Sequence, residues 1–135
     1  MAIPVISLVW GSLGVPMLAA AEGDSGLYSE DQALRGQRLY EQYCTSCHGP
    51  RLEGSPGAPL AGATFLSRWA DGQHTLDDLF YIIRTLMPYN EPGKLAKQQY
   101  ADILAYVLKV NGYTAGSAEL PPSTAVLKTV TLQPR

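Results

Sequence analysis

Apolar positions recur every three or four residues in three stretches of the chain, and each stretch carries start or stop signals of a helix. The first opens at Ser29-Glu30-Asp31-Gln32. A serine three residues ahead of a glutamine is the capping-box pattern, and the two acids fall in the first turn, where the helix dipole favours them. Ala33, Gly36, Tyr40 and Tyr43 follow at helical spacing and lead directly into Cys44. The second stretch starts at Thr75 as cap, with Asp77 and Asp78 in the first turn and Leu76, Leu79, Phe80, Ile83 and Leu86 marking its buried side. Pro88 ends it, because the residue before a proline is pushed out of helical geometry. The third runs from about Lys97 to Asn111, with Tyr100, Ile103, Leu104, Tyr106 and Val107 among its apolar positions and Asn111-Gly112 as the stop.

The segments between are of another kind. Residues 49–63, GPRLEGSPGAPLAGA, are too rich in glycine and proline for a helix interior or a central strand. A second loop, MPYNEPGKLA, joins the second and third helices, and the tail TAGSAELPPSTAVLKTVTLQPR has no helical period. The tail is expected to pack as an extended arm or to stay partly loose. There is no strand pair, no internal repeat and no low-complexity block. The pattern thus predicts an all-α fold of three main helices with long loops. Such loops are normally functional or disordered, and these are too apolar and too proline-fixed for plain disorder. A large apolar ligand inside the fold would account for them.

Composition narrows the function classes. The 135 residues suit one domain, and ten Lys plus Arg against twelve Asp plus Glu leave a net charge of −2. No basic surplus points to nucleic acid. Residues 1–21 carry no charge and end in Ala19-Ala20-Ala21, an A-x-A cleavage pattern, so they read as an export signal cleaved after Ala21. The absence of a basic residue ahead of the apolar run departs from the usual signal, and an uncleaved membrane anchor is the rival. On this reading the mature protein is periplasmic and touches a membrane only if that segment is kept.

The two cysteines and one of the two histidines sit together in Cys44-Thr45-Ser46-Cys47-His48. Four readings compete. A Cys44–Cys47 disulfide would close a very short loop and restrain little of the unfolded chain. A thioredoxin-like redox pair expects a strand before it. Zinc needs four ligands, and Cys44, Cys47, His48 and the distant His74 form an irregular set. C-x-x-C-H is also the attachment signature of a c-type haem: two thiols form thioethers with its vinyl groups, and the adjacent His48 lies under the iron. The export signal, the capped helix leading in and the Gly/Pro loop leading out favour that last reading.

A haem iron has a sixth position. Met1 and Met17 belong to the leader, so Met87 is the one thioether of the mature chain, and Pro88 frees it from the helix. His74 is the rival ligand but stands among polar neighbours. His48/Met87 ligation raises the potential, since a thioether stabilises ferrous iron, and it closes the iron to exogenous ligands. That suits an electron carrier rather than an enzyme.

These residues resemble class I c-type cytochromes of the monohaem kind over Ser29 to about Asn111. The match is carried by Gly36-x-x-x-Tyr40, Cys44-Thr45-Ser46-Cys47-His48, Met87-Pro88 and Asp102-Ile103-Leu104-Ala105-Tyr106-Val107-Leu108. The resemblance implies three main helices and long loops wrapped round one covalent haem c and its iron, with the last helix crossing the first so that Tyr106 lies against Gly36. It further implies that a loop proline carbonyl, Pro59 with Pro50 and Pro56 as the nearby alternatives, holds the Nδ1–H of His48. Trp69 would close the haem edge and bond a propionate, and Arg68 could offset the propionate charge. Ala96 stands where relatives often place a Ser or Thr cap, with Gln99 keeping half of the box, which forgoes about 1 kcal/mol. The ending, Asn111-Gly112-Tyr113-Thr114-Ala115-Gly116 with Glu119-Leu120-Pro121, is similar to that of small periplasmic cytochromes serving quinoprotein (PQQ-dependent) dehydrogenases.

The organisation expected is therefore a signal peptide at 1–21, a cytochrome c domain at 22–112 and an extended tail at 113–135. The function expected is one-electron transfer from a periplasmic dehydrogenase towards a terminal oxidase or another cytochrome, either as a free carrier or as a subunit of a dehydrogenase complex. Burial of the haem by Leu60, Leu79, Phe80 and Leu86 would disfavour ferric iron, and Arg51, Lys94 and Lys97 would rim the docking face. A ligand-binding haem sensor with a labile sixth ligand is the alternative, and a haem-free domain with Cys44 and Cys47 oxidised is the other.

Overall fold

The computed structural model of the chain describes residues 26–135, and the expected leader with its cleavage point lies outside the described residues. Six helical segments follow in order among the described residues: α1 (Glu30–Tyr43), α2 (Thr45–His48), α3 (Ala63–Trp69), α4 (Leu76–Leu86), α5 (Lys97–Val110) and α6 (Thr124–Leu127). The long ones, α1, α4 and α5, are the three that the periodicity predicts. Extended pairing among the described residues is limited to two isolated bridges, Tyr28 with Ala115 and Thr75 with Thr131, so the fold is all-α.

The helix starts differ in how they are capped. Thr75 and Asp78 close a full box: Thr75 Oγ1 accepts the Asp78 N–H at 3.3 Å and Asp78 Oδ2 accepts the Thr75 N–H at 2.7 Å. At α5, Gln99 Oε1 accepts the Ala96 N–H at 2.9 Å, the half-box expected. The box expected at α1 is only half made. Ser29 Oγ accepts the Gln32 N–H at 3.1 Å, but the Gln32 side chain turns inward. Its amide donates to the Leu120 carbonyl at 2.8 Å and accepts the Leu120 N–H at 2.7 Å. A buried amide cannot leave its polar atoms idle, and the tail offers both partners.

α1 and α5 cross in backbone contact. A Cβ on Gly36 would lie 1.8 Å from the Asp102 carbonyl oxygen, so only glycine permits the approach. The nearest atoms to a Cβ on Gly36 belong to the Asp102–Ile103 backbone. The Tyr106 ring packs on Tyr40, centroids 5.4 Å apart and tilted by 56°. Tyr40 and Tyr106 each stand one turn beyond the crossing, which is where the diverging helices first leave room for rings. Beside the crossing, buried Asp102 accepts from Arg35 at 3.1 and 3.2 Å and from Gln98 at 2.9 Å, and Arg35 reaches Glu119 of the tail at 2.8 Å. Hydrogen bonds to Asp102 and then Glu119 hold the Arg35 proton still more firmly than usual.

Three features depart from the apolar pattern. α3 lies where no helix was expected; it is short, and Gly62 at φ +83° precedes it in place of a side-chain cap. The outermost position of the predicted α4 stripe, Leu86, is 54 % exposed, while Leu76, Leu79 and Phe80 are buried. The tail is held along its length: Leu120, Leu127 and Leu132 are buried, and the Leu76 N–H at the start of α4 donates to the Val130 carbonyl at 2.8 Å.

Candidate functional site

The Cys44–His48 turn is built from the end of α1. Tyr40 is fully buried, and its hydroxyl donates to the Gly49 carbonyl at 2.6 Å, which fixes the chain just past His48. α2 then places Cys44, Cys47 and His48 on one turn. Both thiols are free. Burial, and after it the neighbouring Cys47, pushes the Cys44 thiol up to about 11. A raised value disfavours the Cys44 thiolate, the form that attacks in thiol–disulfide exchange. His74 is held elsewhere: its Nδ1 lies 2.8 Å from Asp71 Oδ2, and its ring meets the edge of Trp69 at 5.2 Å. Among the described residues no group of three or more His, Cys, Asp or Glu is arranged to hold a metal ion, so the zinc set Cys44, Cys47, His48 and His74 is not assembled.

His48 is oriented from the other side by the Gly/Pro loop. Its Nδ1 lies 2.7 Å from the carbonyl of Ala58. That acceptor was expected at Pro59, one residue later. The loop closes tighter than expected because Gly57 lies against the histidine: its N–H donates to the Cys47 carbonyl at 2.7 Å, and a Cβ there would be 2.9 Å from His48 Nδ1. A carbonyl only accepts, so Nδ1 carries the proton and Nε2 keeps its lone pair for a ligand. Gly57 and Ala58 are contacts of His48 that motif reading missed. Nothing marks them in the sequence beyond their place in a loop of several glycines and prolines.

Met87 caps α4 with φ −117° and ψ 154°, extended as Pro88 requires. Its carbonyl accepts two hydrogen bonds, from the Tyr100 hydroxyl at 2.7 Å and from the Gly93 N–H at 3.2 Å. In the sequence pattern Tyr100 is only an apolar position of α5. Trp69 is buried, and Arg68, itself exposed, lays its guanidinium 5.1 Å from the Trp69 ring centroid. Arg51, Lys94 and Lys97 are exposed; Lys94 pairs with Glu91 and covers Tyr43. Arg84 Nε and Asp77 Oδ1 are buried without a partner in the protein.

The donor set has the composition that a covalent haem needs: two reduced thiols and an imidazole with a free Nε2 on one turn, and a thioether released from its helix. Residues 31–107, more than half of the chain, match the family described as cytochrome c oxidase, cbb3-type, subunit III. The chain belongs to this cytochrome family. Its fold is that of cytochrome c, its cofactor is one covalent haem c with its iron, and a cytochrome c domain serves electron transfer. No curated protein matches the cytochrome. Among solved structures it is similar to a chain of the sulfane dehydrogenase SoxCD from Paracoccus pantotrophus, with TM-score 0.58 and 24 % identity over 74 % of this chain. That likeness concerns the fold. The cytochrome spans 52 % of the SoxCD chain, about half its length. Among the described residues no helix is long and apolar enough to cross a membrane.

Proposed function

We propose that this cytochrome is a periplasmic one-electron carrier whose haem is attached through Cys44 and Cys47 and whose iron is held between His48 and Met87. The observation that carries the reading is the anchoring of His48: Nδ1 bound to the Ala58 carbonyl at 2.7 Å, leaving Nε2 free beside two unpaired thiols. The haem iron supplies the chemistry, uptake and release of one electron. The chain's own residues do the rest. Ala58 fixes the tautomer and angle of His48 and raises its basicity. Met87, held at its carbonyl from two sides, would offer a neutral thioether that favours ferrous iron. Trp69 closes one edge of the site, and Pro59 lines the loop over His48. Residues 1–21 serve as the export signal, and residues 113–135 form an arm attached to the cytochrome c domain.

The donor is a periplasmic dehydrogenase, of the quinoprotein kind by the resemblance of the ending, and the acceptor a terminal oxidase or another cytochrome. The likeness in fold to a chain of a sulfane dehydrogenase supports a partner of the dehydrogenase class. Arg51, Lys94 and Lys97 form the rim at which a partner docks. The test is the visible spectrum of the exported, reduced protein before and after carbon monoxide. A six-coordinate c-type spectrum that carbon monoxide leaves unchanged is expected, and Met87→Ala should bind carbon monoxide and show a lower midpoint potential. A wild-type spectrum that shifts with carbon monoxide would overturn the carrier reading in favour of a ligand-binding cytochrome. An unchanged potential in Met87→Ala would remove Met87 from the iron.

A further inference from the structure

We propose that Tyr100 is the positioning residue of the distal ligand, its hydroxyl setting how readily Met87 leaves the iron. This rests on the reading of Met87 as the sixth ligand. The Tyr100 hydroxyl donates to the Met87 carbonyl at 2.7 Å and accepts the Leu95 N–H at 3.2 Å. Both ends of the segment 87–95 therefore meet at one oxygen. The tip of the segment is held by its own turns, Glu91 N–H to the Pro88 carbonyl at 2.9 Å and Lys94 N–H to the Glu91 carbonyl at 3.2 Å, and neither bond ties it to a helix. Tyr100 does so. Its ring is only 3 % exposed in the first turn of α5, the helix that α1 contacts backbone to backbone at Gly36.

The thioether of Met87 hangs from a backbone held at its own carbonyl. A ligand serves only if its supporting shell keeps it within a fraction of an ångström of the right place. Phenylalanine at 100 would fill the same space and keep the packing, but the Leu95 N–H would lose this acceptor and the Met87 carbonyl would keep only the bond from Gly93. Loss of one buried hydrogen bond with a partner left behind changes an opening equilibrium by about tenfold.

The experiment uses the ferric holo-protein. Imidazole at saturating concentration captures the iron at the rate at which Met87 leaves, followed by stopped-flow absorption together with the near-infrared methionine–iron band. Tyr100→Phe is expected to keep that band and to raise the saturating rate about tenfold. Tyr106→Phe, which removes a hydroxyl from the same helix away from Met87, should leave the rate unchanged. An unchanged rate in Tyr100→Phe, or an equal rise in Tyr106→Phe, would overturn the proposal. Should Tyr100→Phe fail to fold, the wild type decides: hydrogen exchange at the Leu95 amide should accelerate when imidazole displaces Met87, and full protection of that amide with Met87 displaced would refute the coupling. A wild type with no methionine–iron band would instead sink the assignment of Met87 itself.

Discussion

Gly36→Ala puts one methyl group into the α1–α5 crossing. That carbon would stand 1.8 Å from the Asp102 carbonyl oxygen and 2.4 Å from its carbon, against 3.4 Å or more for ordinary contact. The helices must part by about 1.6 Å, or bend, because neither clashing atom belongs to a side chain that could rotate away. Overpacking of this kind costs about 1–3 kcal/mol, and a backbone clash belongs at the upper end. Alanine returns about 1 kcal/mol of helix propensity. The net expectation is a loss of about 2 kcal/mol, a large share of the 5–15 kcal/mol that holds a typical domain. Urea denaturation of the holo-protein checks it. With a slope of roughly 2 kcal/mol per molar, the midpoint should fall by about 1 M at unchanged slope. The separation would also shift Tyr40 and Tyr100, so capture of the iron by imidazole should quicken. A midpoint that rises by the propensity gain would show that the two backbones do not touch at Gly36, and the account of the crossing would be wrong.

Two further outcomes test the contacts that motif reading missed. Gly57→Ala would bring a methyl group to 2.8 Å from the Cys47 carbonyl and 2.9 Å from His48 Nδ1. By loosening the Ala58 bond it should make His48 a poorer electron donor and raise the midpoint potential by up to about 59 mV, a tenfold change for a one-electron couple; spectroelectrochemistry would show no shift if the loop does not orient His48. Gln32→Leu would strand the buried N–H and carbonyl of Leu120, so the fold should lose about 2–4 kcal/mol in urea titration and the tail should become open to limited proteolysis; an intact, protease-resistant tail would mean that Gln32 does not hold it.

The three long helices were legible because each has a period and a boundary. Thr75 with Asp78 and Met87-Pro88 are local signals, and local signals survive in a folded chain. Gln32 shows where such reading stops. Its spacing from Ser29 suggests a box, but a partner 88 residues away satisfies both ends of its amide, and nothing near residue 32 announces it. Ala58 is a similar case. The bond to His48 comes from a main-chain carbonyl, which every residue possesses, so its register within residues 49–63 depends on how tightly Gly57 lets the loop close. α3 and the order in the tail were hidden because burial there, at Phe65, Leu120, Leu127 and Leu132, comes from single side chains meeting other elements and not from a repeating stripe.

Tyrosine misled in an instructive way. Tyr40 and Tyr100 count as apolar in a helical pattern, and their rings are indeed buried. Their hydroxyls still need partners once inside. Tyr40 finds the Gly49 carbonyl at 2.6 Å, just past His48, and Tyr100 finds the Met87 carbonyl at 2.7 Å. Each half of the candidate iron site is thus tied to a long helix by one phenolic hydrogen bond, the proximal half to α1 and the distal half to α5. The two helices meet at Gly36 and Asp102 without a side chain between them on the glycine side. Residues 48 and 87 are far apart in sequence, and this crossing is a rigid route by which their spacing can be set. If His48 and Met87 ligate the iron as proposed, a close helix crossing would do more than stabilise: it would help to fix how far the two ligands stand from the metal, and a methyl group at Gly36 should be felt at the iron.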